Sequence, residues 1–182
     1  MPNLYLSNIE KDDMVTLYQW FSDSEFLKYY DYYPPIPQTK DEVNKTFKDY
    51  TEKKESKVFG IKMVQNDSII GIAGFDDIIF ENSVATLFIG IGNSSLRGKG
   101  YGKETMNLLL NYGFNNMKLH RIQLNVLEFN FPAIKLYEKS GFKKEGIFRE
   151  FVLRDNKRYD LYLYGLLKSE WDLLSWTIVK DL

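Results

Sequence analysis

The sequence has no cysteine and a single histidine among its 182 residues. The first absence removes disulfides, thiolate nucleophiles and cysteine-ligated zinc. The second leaves no set of histidine ligands and disfavours a Ser–His triad, so no metal is expected. A charge excess of either sign is also missing: 24 Lys and Arg face 25 Asp and Glu, a net charge of −1. The basic face that a polynucleotide requires is therefore not available, and no nucleic-acid partner is expected. No apolar run approaches the roughly 18 residues of a membrane span, and the opening MPNLYLSNIEKDD lacks the blocks of a signal peptide. A soluble, cytoplasmic protein without membrane association is the expectation.

What is present fits one globular domain, residues 1–182. The hydrophobic fraction of 44% and charged fraction of 27% are ordinary for a folded chain, and the length allows a real core. Leu4 and Leu6 alternate with Tyr5 and Ser7, a short strand. Glu10 to Phe21 reads as a helix, with Met14, Leu17, Tyr18 and Phe21 on one face. FLKYYDYYPPIP, Phe26 to Pro37, is aromatic and broken by prolines, and is read as a loop with turns. Thr39 to Glu55 reads as a second helix. Val58–Val64, Ile69–Phe75 and Val84–Ile91 form an antiparallel meander. From Gly98 the period becomes helical, with Met106, Leu109, Leu110, Gly113 and Met117 in one stripe. A strand at Arg121–Leu127 and a helix at Phe131–Ser140 follow, the latter with Pro132 in its first turn and Gly141 closing it. Two strands, Ile147–Leu153 and Arg158–Leu166, flank the turn RDNK, and Lys168–Leu174 reads as a terminal helix. The fold class is mixed α/β, with a strand–helix–strand crossover that makes two strands parallel.

The stretch LRGKGYGKE, Leu96 to Glu104, sits between a strand and an amphipathic helix. Unpaired N–H groups and the positive end of the dipole make a helix start an anion site, and glycines admit a phosphate close to the backbone. Arg97 or Lys99 adds charge at the rim. A nucleotide P-loop needs Ser or Thr after Gly102-Lys103, where Glu104 stands, and the dinucleotide fingerprint needs glycine where Lys103 stands. LHRIQLN has Ile122 where a kinase catalytic loop has aspartate.

The remaining pattern is Arg-x-x-Gly-x-Gly, made by Arg97, Gly100 and Gly102, and with it the sequence resembles the GNAT superfamily of acetyl-CoA-dependent N-acetyltransferases. A second motif of that family, Asn-x-x-Ala-x-x-x-Tyr-x-x-x-Gly-Phe, is complete in Asn130, Ala133, Tyr137, Gly141 and Phe142. Ser83 to Gly165 is similar to the subgroup of ribosomal-protein N-terminal and spermidine acetyltransferases. The resemblance implies a mixed, mostly antiparallel, splayed sheet flanked by helices. It implies that the amides of Gly98, Lys99, Gly100, Tyr101, Gly102 and Lys103, with Arg97, hold the coenzyme A pyrophosphate. The pantetheine arm would pair with Phe88, Ile89, Gly90 and Ile91, and Asn125, Asn130, Ala133 and Tyr137 would complete the coenzyme site. Tyr137 would give a proton to the leaving thiolate. Ala133 and Tyr137 are four apart, on one helix face. The residue-level alternatives are a core tyrosine with a hydrogen-bonded hydroxyl and an N-capping Asn130.

Without cysteine an acetyl-cysteine intermediate is excluded, which favours direct transfer in a ternary complex. The general base is open: Thr86, Phe88 and Gly90 stand where some family members carry glutamate, and Asp31, Asp76, Glu128 and Asp160 are the substitutes. Asp31 lies among Tyr29, Tyr30, Tyr32 and Tyr33. Tyr30, Asp31 and Tyr32 are read as a site for a cationic amine, through charge and cation–π attraction. Aromatic packing of the loop over the sheet is an equal reading. His120 is read as structural. The acceptor is a polyamine or other small amine, or a protein N-terminus; the alternatives to an enzyme are a silent coenzyme-A sensor or an interaction domain. Trp171, Trp176, Ile178 and Val179 are read as either a homodimer contact or a closure of the core.

Overall fold

The computed structural model describes residues 3–180, with side chains described as far as Leu174. One sheet runs in the order β1-β2-β3-β4-β5-β7-β6. Its strands are β1 (Leu4–Ser7), β2 (Lys57–Met63), β3 (Ile69–Ile79), β4 (Val84–Ile91), β5 (Arg121–Leu127), β6 (Lys143–Arg154) and β7 (Lys157–Leu167). Every pairing is antiparallel except β4 with β5. The helices are α1 (Met14–Phe21), α2 (Ser24–Tyr30), α3 (Lys40–Glu52), α4 (Tyr101–Asn111), α5 (Phe131–Lys139) and α6 (Lys168–Lys180). The expected mixed, mostly antiparallel and splayed sheet is the observed one.

The period of two along the strands sorts the core into two layers. Ala85 and Leu87 of β4 join Met106, Leu109 and Leu110 of α4 and Tyr137 of α5 in one buried cluster. On the opposite face Val58 and Ile72 meet Leu17, Trp20 and Phe21 of α1, Phe26 and Leu27 of α2, and Val43 and Phe47 of α3, with Phe88 against their edge. The central parallel pair is short. Val84, Ala85 and Thr86 pair with Arg121, Ile122 and Gln123, after which β4 continues to Ile91 and β5 to Leu127 without each other. β5 stays paired with β7 along its whole length. The sheet therefore forks, and the edge of β4 that faces β5 is free beyond Thr86.

Several boundaries differ from the sequence expectations for local reasons. Phe26 to Tyr30 is not loop but the body of α2: the Asp23 side chain accepts from Glu25 N–H at 2.9 Å as a cap, and Phe26 and Leu27 are buried. α1 starts at Met14 rather than Glu10, because Asp13 turns back to accept from Glu10 N–H at 2.8 Å. α4 starts at Tyr101 rather than Gly98, since Gly98 and Gly100 take left-handed φ of 75° and 91°. β6 starts at Lys143 rather than Ile147, and α6 runs on past Leu174 to Lys180. The RDNK hairpin is tight, with Asp155 and Asn156 both at positive φ, as a two-residue turn between twisted strands requires.

One ion cluster, buried at Lys62 and Asp13 and open to solvent at Glu10, ties the α1 layer to the sheet. Lys62 of β2 is 3% exposed, and its Nζ lies 3.2 Å from both Glu10 and the buried Asp13. Removing one partner of such a cluster strands a buried charge. Lys62→Ala is expected to destabilise the fold by about 3–5 kcal/mol, measured as a lowered midpoint in urea; a change within about 0.5 kcal/mol, the range of surface substitutions, would show that the cluster contributes nothing net.

Candidate active site

The fork and the α4 terminus lie end to end. α4 makes its first internal bond from Glu104 N–H to the Gly100 carbonyl at 3.1 Å. The amides of Tyr101, Gly102 and Lys103 therefore have no helical carbonyl to bond, and they carry the positive end of the dipole. A Cβ built on Gly98 or Gly100 meets no atom within 4 Å, so both glycines face open space. Their requirement is conformational: positive φ turns the chain so that consecutive amides face outward. Lys99 is exposed beside them. Arg97 instead reaches back, its Nε donating to the Ile91 carbonyl at 3.2 Å, and so ties the loop to the end of β4. Amides at a helix start and a free strand edge suit a pyrophosphate followed by an amide-bearing arm, which is the chemistry of coenzyme A.

On the α4 side of the fork stands α5. Asn130 Oδ1 accepts from Ala133 N–H at 3.4 Å, which caps the helix, while Nδ2 donates to the Tyr29 carbonyl at 3.2 Å. Asn130 thus joins the α5 start to the end of α2 across the fork. Gly102 of α4 touches Leu136 of α5: a Cβ there would lie 3.4 Å from Leu136 Cδ2. Tyr137 is 7% exposed, edge-on to Phe142 at 6.0 Å between centroids, in the same cluster as Leu87, Leu124 and Val126. Among the described residues no side chain bonds its hydroxyl, whereas buried Tyr164 donates to Glu138 Oε1 at 2.9 Å. Burial pushes the Tyr137 pKa far above the ordinary phenol value, so it stays protonated. Asn125 is exposed on β5, opposite Leu163 of β7.

The opposite wall is aromatic and acidic. Tyr30 lies flat on Phe26 at 5.0 Å and against the backbone of Gly90, where a Cβ would come within 2.7 Å of its ring. Tyr50 stacks on Phe88 at 5.8 Å. Burial raises the pKa of Tyr30, and the charges of Tyr50, Asp31 and Asp76 raise it further. Burial also raises that of Tyr50, to about 12, with Asp76, Asp31 and Asp77 adding to it. Asp31 and Asp76, two of the four carboxylates proposed as bases, thus both act on this pair of tyrosines. Asp76 on β3 accepts from Ser56 Oγ at 2.5 Å. Glu128, just past β5, and Asp160 of β7 meet each other, the Glu128 N–H donating to the Asp160 carbonyl at 3.1 Å.

Asp31 sits at the end of α2, where its Oδ1 accepts from Tyr32 N–H at 2.6 Å. Burial raises its pKa, against the pull of the Tyr32 and Tyr33 amides and of Arg154. Tyr32 packs its ring 4.8 Å from Tyr33 and 5.7 Å from Phe151, and it joins the small cluster of Leu127, Val152 and Leu161. The sequence reading missed Arg154, which it treated as a turn residue. Arg154 is 5% exposed, and its Nη2 donates to the carbonyls of Asp31 at 3.0 Å and Tyr33 at 2.6 Å. With Lys28 and Asp155 paired at 3.6 Å, the β6–β7 hairpin fixes this loop. No local signal marks an arginine in a hairpin turn as turned inward. His120 is exposed, its amide donating to the Ser83 carbonyl at 2.7 Å. Trp171 stacks on Phe114 at 5.3 Å, closing the core, while the side chains of Trp176, Ile178 and Val179 lie outside the described residues. No helix among the described residues is long and apolar enough to cross a membrane.

Residues 3–143 match the profile of the Acetyltransferase (GNAT) domain. The N-acetyltransferase p20 of Bacillus licheniformis is 32% identical over 170 residues, which cover 92% of this chain and 94% of that protein. A ribosomal protein uS5 alanine N-acetyltransferase of Escherichia coli is 27% identical over 114 residues, 62% of this chain and 58% of its own. The crystal structure of spermidine N-acetyltransferase from Vibrio cholerae, in complex with CoA and spermine, shares the fold. It has a TM-score of 0.85 at 24% identity, over 93% of this chain and 98% of that one.

The glycine loop makes a direct test. Gly100→Val forces a branched residue to φ near 91°, in space that is otherwise open. The strain is expected to cost about 1–3 kcal/mol, either as lost stability or as a loop that withdraws its amides. Coenzyme A affinity measured by calorimetry should fall by at least about tenfold, the equivalent of one charge-assisted hydrogen bond, while the protein remains folded. An unchanged affinity would place the phosphate site elsewhere.

Proposed function

The chain belongs to the GNAT acetyltransferase family, and on that premise we propose that it transfers acetyl from acetyl-CoA directly to the primary amine of a cationic acceptor. The observation that carries this reading is the fork itself. A free edge of β4 lies between a buried phenol, whose hydroxyl no side chain among the described residues bonds, and an acidic aromatic wall. The glycine loop and α4 terminus hold the pyrophosphate, and the Leu87–Ile91 edge holds the arm that leads the thioester into the fork.

The residues then divide the work. Tyr30, Tyr50, Asp31 and Asp76 draw in an ammonium group through charge and ring faces. An alkyl ammonium has a pKa of about 10.4 and attacks only once deprotonated; the carboxylates of this wall are the groups that take the proton, directly or through water. An amide of the β4 edge stabilises the charge that develops on the carbonyl oxygen. Tyr137 protonates the departing sulfur. A thiol has a pKa of about 8.5 and a phenol about 10, and burial moves Tyr137 higher still, so it is in the donor form throughout the neutral range. The structure of the spermidine enzyme, with CoA and spermine bound, supports an amine acceptor for this fold.

Two substitutions test the two walls. Tyr137→Phe retains the ring and its packing against Phe142 and removes only the hydroxyl. The single-turnover rate of acetyl transfer should fall by about 10²–10⁴, with coenzyme A binding and thermal stability little changed. A rate within about threefold of the parent, far short of that range, would make Tyr137 a packing residue. Asp31→Asn removes the charge and leaves the shape. Acceptor KM should rise by about tenfold or more, with little change for acetyl-CoA. In the parent, acceptor KM should also rise as pH falls through the upward-shifted pKa of Asp31, because protonation removes the same charge. Equal loss for both substrates, or a pH profile the variant shares, would remove Asp31 from the acceptor site.

A further inference from the structure

Beyond Thr86, β4 pairs with β3 alone among the described residues, from Leu87 opposite Phe75 to Ile91 opposite Gly71. Successive strand positions face opposite sides, so 88, 90 and 92 look toward the layer of α1, α2 and α3. Two of these three positions are glycine. Glycine gives a strand no side chain to anchor it and the most backbone freedom to lose. Yet this is the segment whose free edge must lie flat if an arm is to pair with it.

Three rings from three helices supply the anchor. Tyr50 of α3 stacks on Phe88 at 5.8 Å, and Tyr30 of α2 covers Gly90. Trp20, in the last turn of α1, covers Gly92: a Cβ there would overlap its indole ring at Cδ2 and Cε2. Trp20 is 8% exposed and lies 6.3 Å from Phe26, in the layer behind the fork. The backbone beneath it is a joint. Gly92 N–H donates to the Ile70 carbonyl at 3.0 Å, which continues the ladder with β3 past Ile91. The adjacent Ile91 carbonyl accepts from Arg97 at 3.2 Å, at the head of the glycine loop.

We propose that Trp20 is a positioning residue for acetyl-CoA. Its ring occupies the place of a Gly92 side chain and fixes the joint between the strand edge that takes the arm and the loop that takes the pyrophosphate. A shift of that joint displaces both sets of donors together, so Trp20 acts on the coenzyme without touching it. Glycine at 92 is then required by the ring that lies on it, because any side chain would push the indole away. The inference rests on the coenzyme site proposed above, and binding and kinetics separate the two.

The test is calorimetry with coenzyme A and acetyl-transfer kinetics, both on the full chain. Trp20→Leu is apolar but lacks the flat ring. It should weaken coenzyme A binding and raise the acetyl-CoA KM by about tenfold, the equivalent of one lost hydrogen bond. The acceptor KM and the single-turnover rate at saturating acetyl-CoA should stay within about threefold of the parent, because Phe26 still holds Tyr30. Trp20→Phe, which keeps a ring, should recover most of the affinity. Gly92→Ala adds a methyl where the indole lies and should show the same loss for the donor alone. In the Trp20→Leu background that methyl has room, so the two losses should not add. A folded Trp20→Leu variant with coenzyme A affinity within about threefold of the parent, an equal loss for the acceptor, or additive losses in the double variant overturns the proposal. If Trp20→Leu does not fold, Gly92→Ala carries the test, and unaltered affinity there overturns it equally. A parent that binds no coenzyme A removes the coenzyme site together with this role, whereas a parent that binds it no better than Trp20→Leu removes only the role of Trp20.

Discussion

The site depends on a ladder that stops early. β4 and β5 share only the pairs Val84–Arg121, Ala85–Ile122 and Thr86–Gln123 before separating. A parallel pair in the middle of a sheet normally continues, because every unpaired backbone group left inside is unfavourable. Here β5 is held instead by seven successive pairs with β7, from Arg121–Leu167 to Leu127–Leu161. Its direction is thus set by the hairpin and not by β4. The unpaired edge beyond Thr86 is tolerable only where something polar and extended can lie along it. That single divergence creates both the slot for the arm and the space that α5 enters from one face and α2 from the other.

The two faces of the slot are held by different physics. The α5 side is conventional packing, with Ala133, Leu136, Tyr137 and Phe142 set against strand residues of the larger core. The α2 side carries carboxylates and must be positioned against their tendency to move into water. Buried Arg154 does this by donating to the backbone of Asp31 and Tyr33, so it orders the loop without neutralising the carboxylate in a close ion pair. Burial lowers the Arg154 pKa, but an arginine has ample reserve before losing its proton. Lys62 acts similarly at the other end of the layer, anchoring Asp13 and Glu10 ahead of α1.

The glycine loop and the caps of α5 were readable in the sequence because backbone makes them. A loop that must take positive φ needs glycine, and Gly98 and Gly100 do so at 75° and 91°; a helix that starts after Asn130 and ends at Gly141 announces both caps. The aromatic and acidic wall is made of side chains brought together from distant segments, and no spacing records that. Tyr50 of α3 meets Phe88 of β4, Asn130 bonds Tyr29 across 101 positions, and Arg154 lies 123 positions from Asp31. Even locally, the aromatic run FLKYYDYYPPIP concealed its helix. Its prolines, at Pro34, Pro35 and Pro37, end the helix rather than prevent it, and Phe26 and Leu27 are buried on the inward face.

A net charge of −1 conceals how unevenly charge is placed. At one end of the slot are the α4 terminus with its unpaired amides and exposed Lys99 and Lys103. At the other are Asp31, Asp76 and Asp77, with their effect registered in the raised pKa values of Tyr30 and Tyr50. Such a field attracts an anion to the first end and a cation to the second, and repels each from the wrong one. Uniform charge of either sign would strengthen one substrate at the expense of the other. A near-neutral chain with separated poles suits the proposed reaction, in which a polyanionic donor and a cationic acceptor meet along one strand edge.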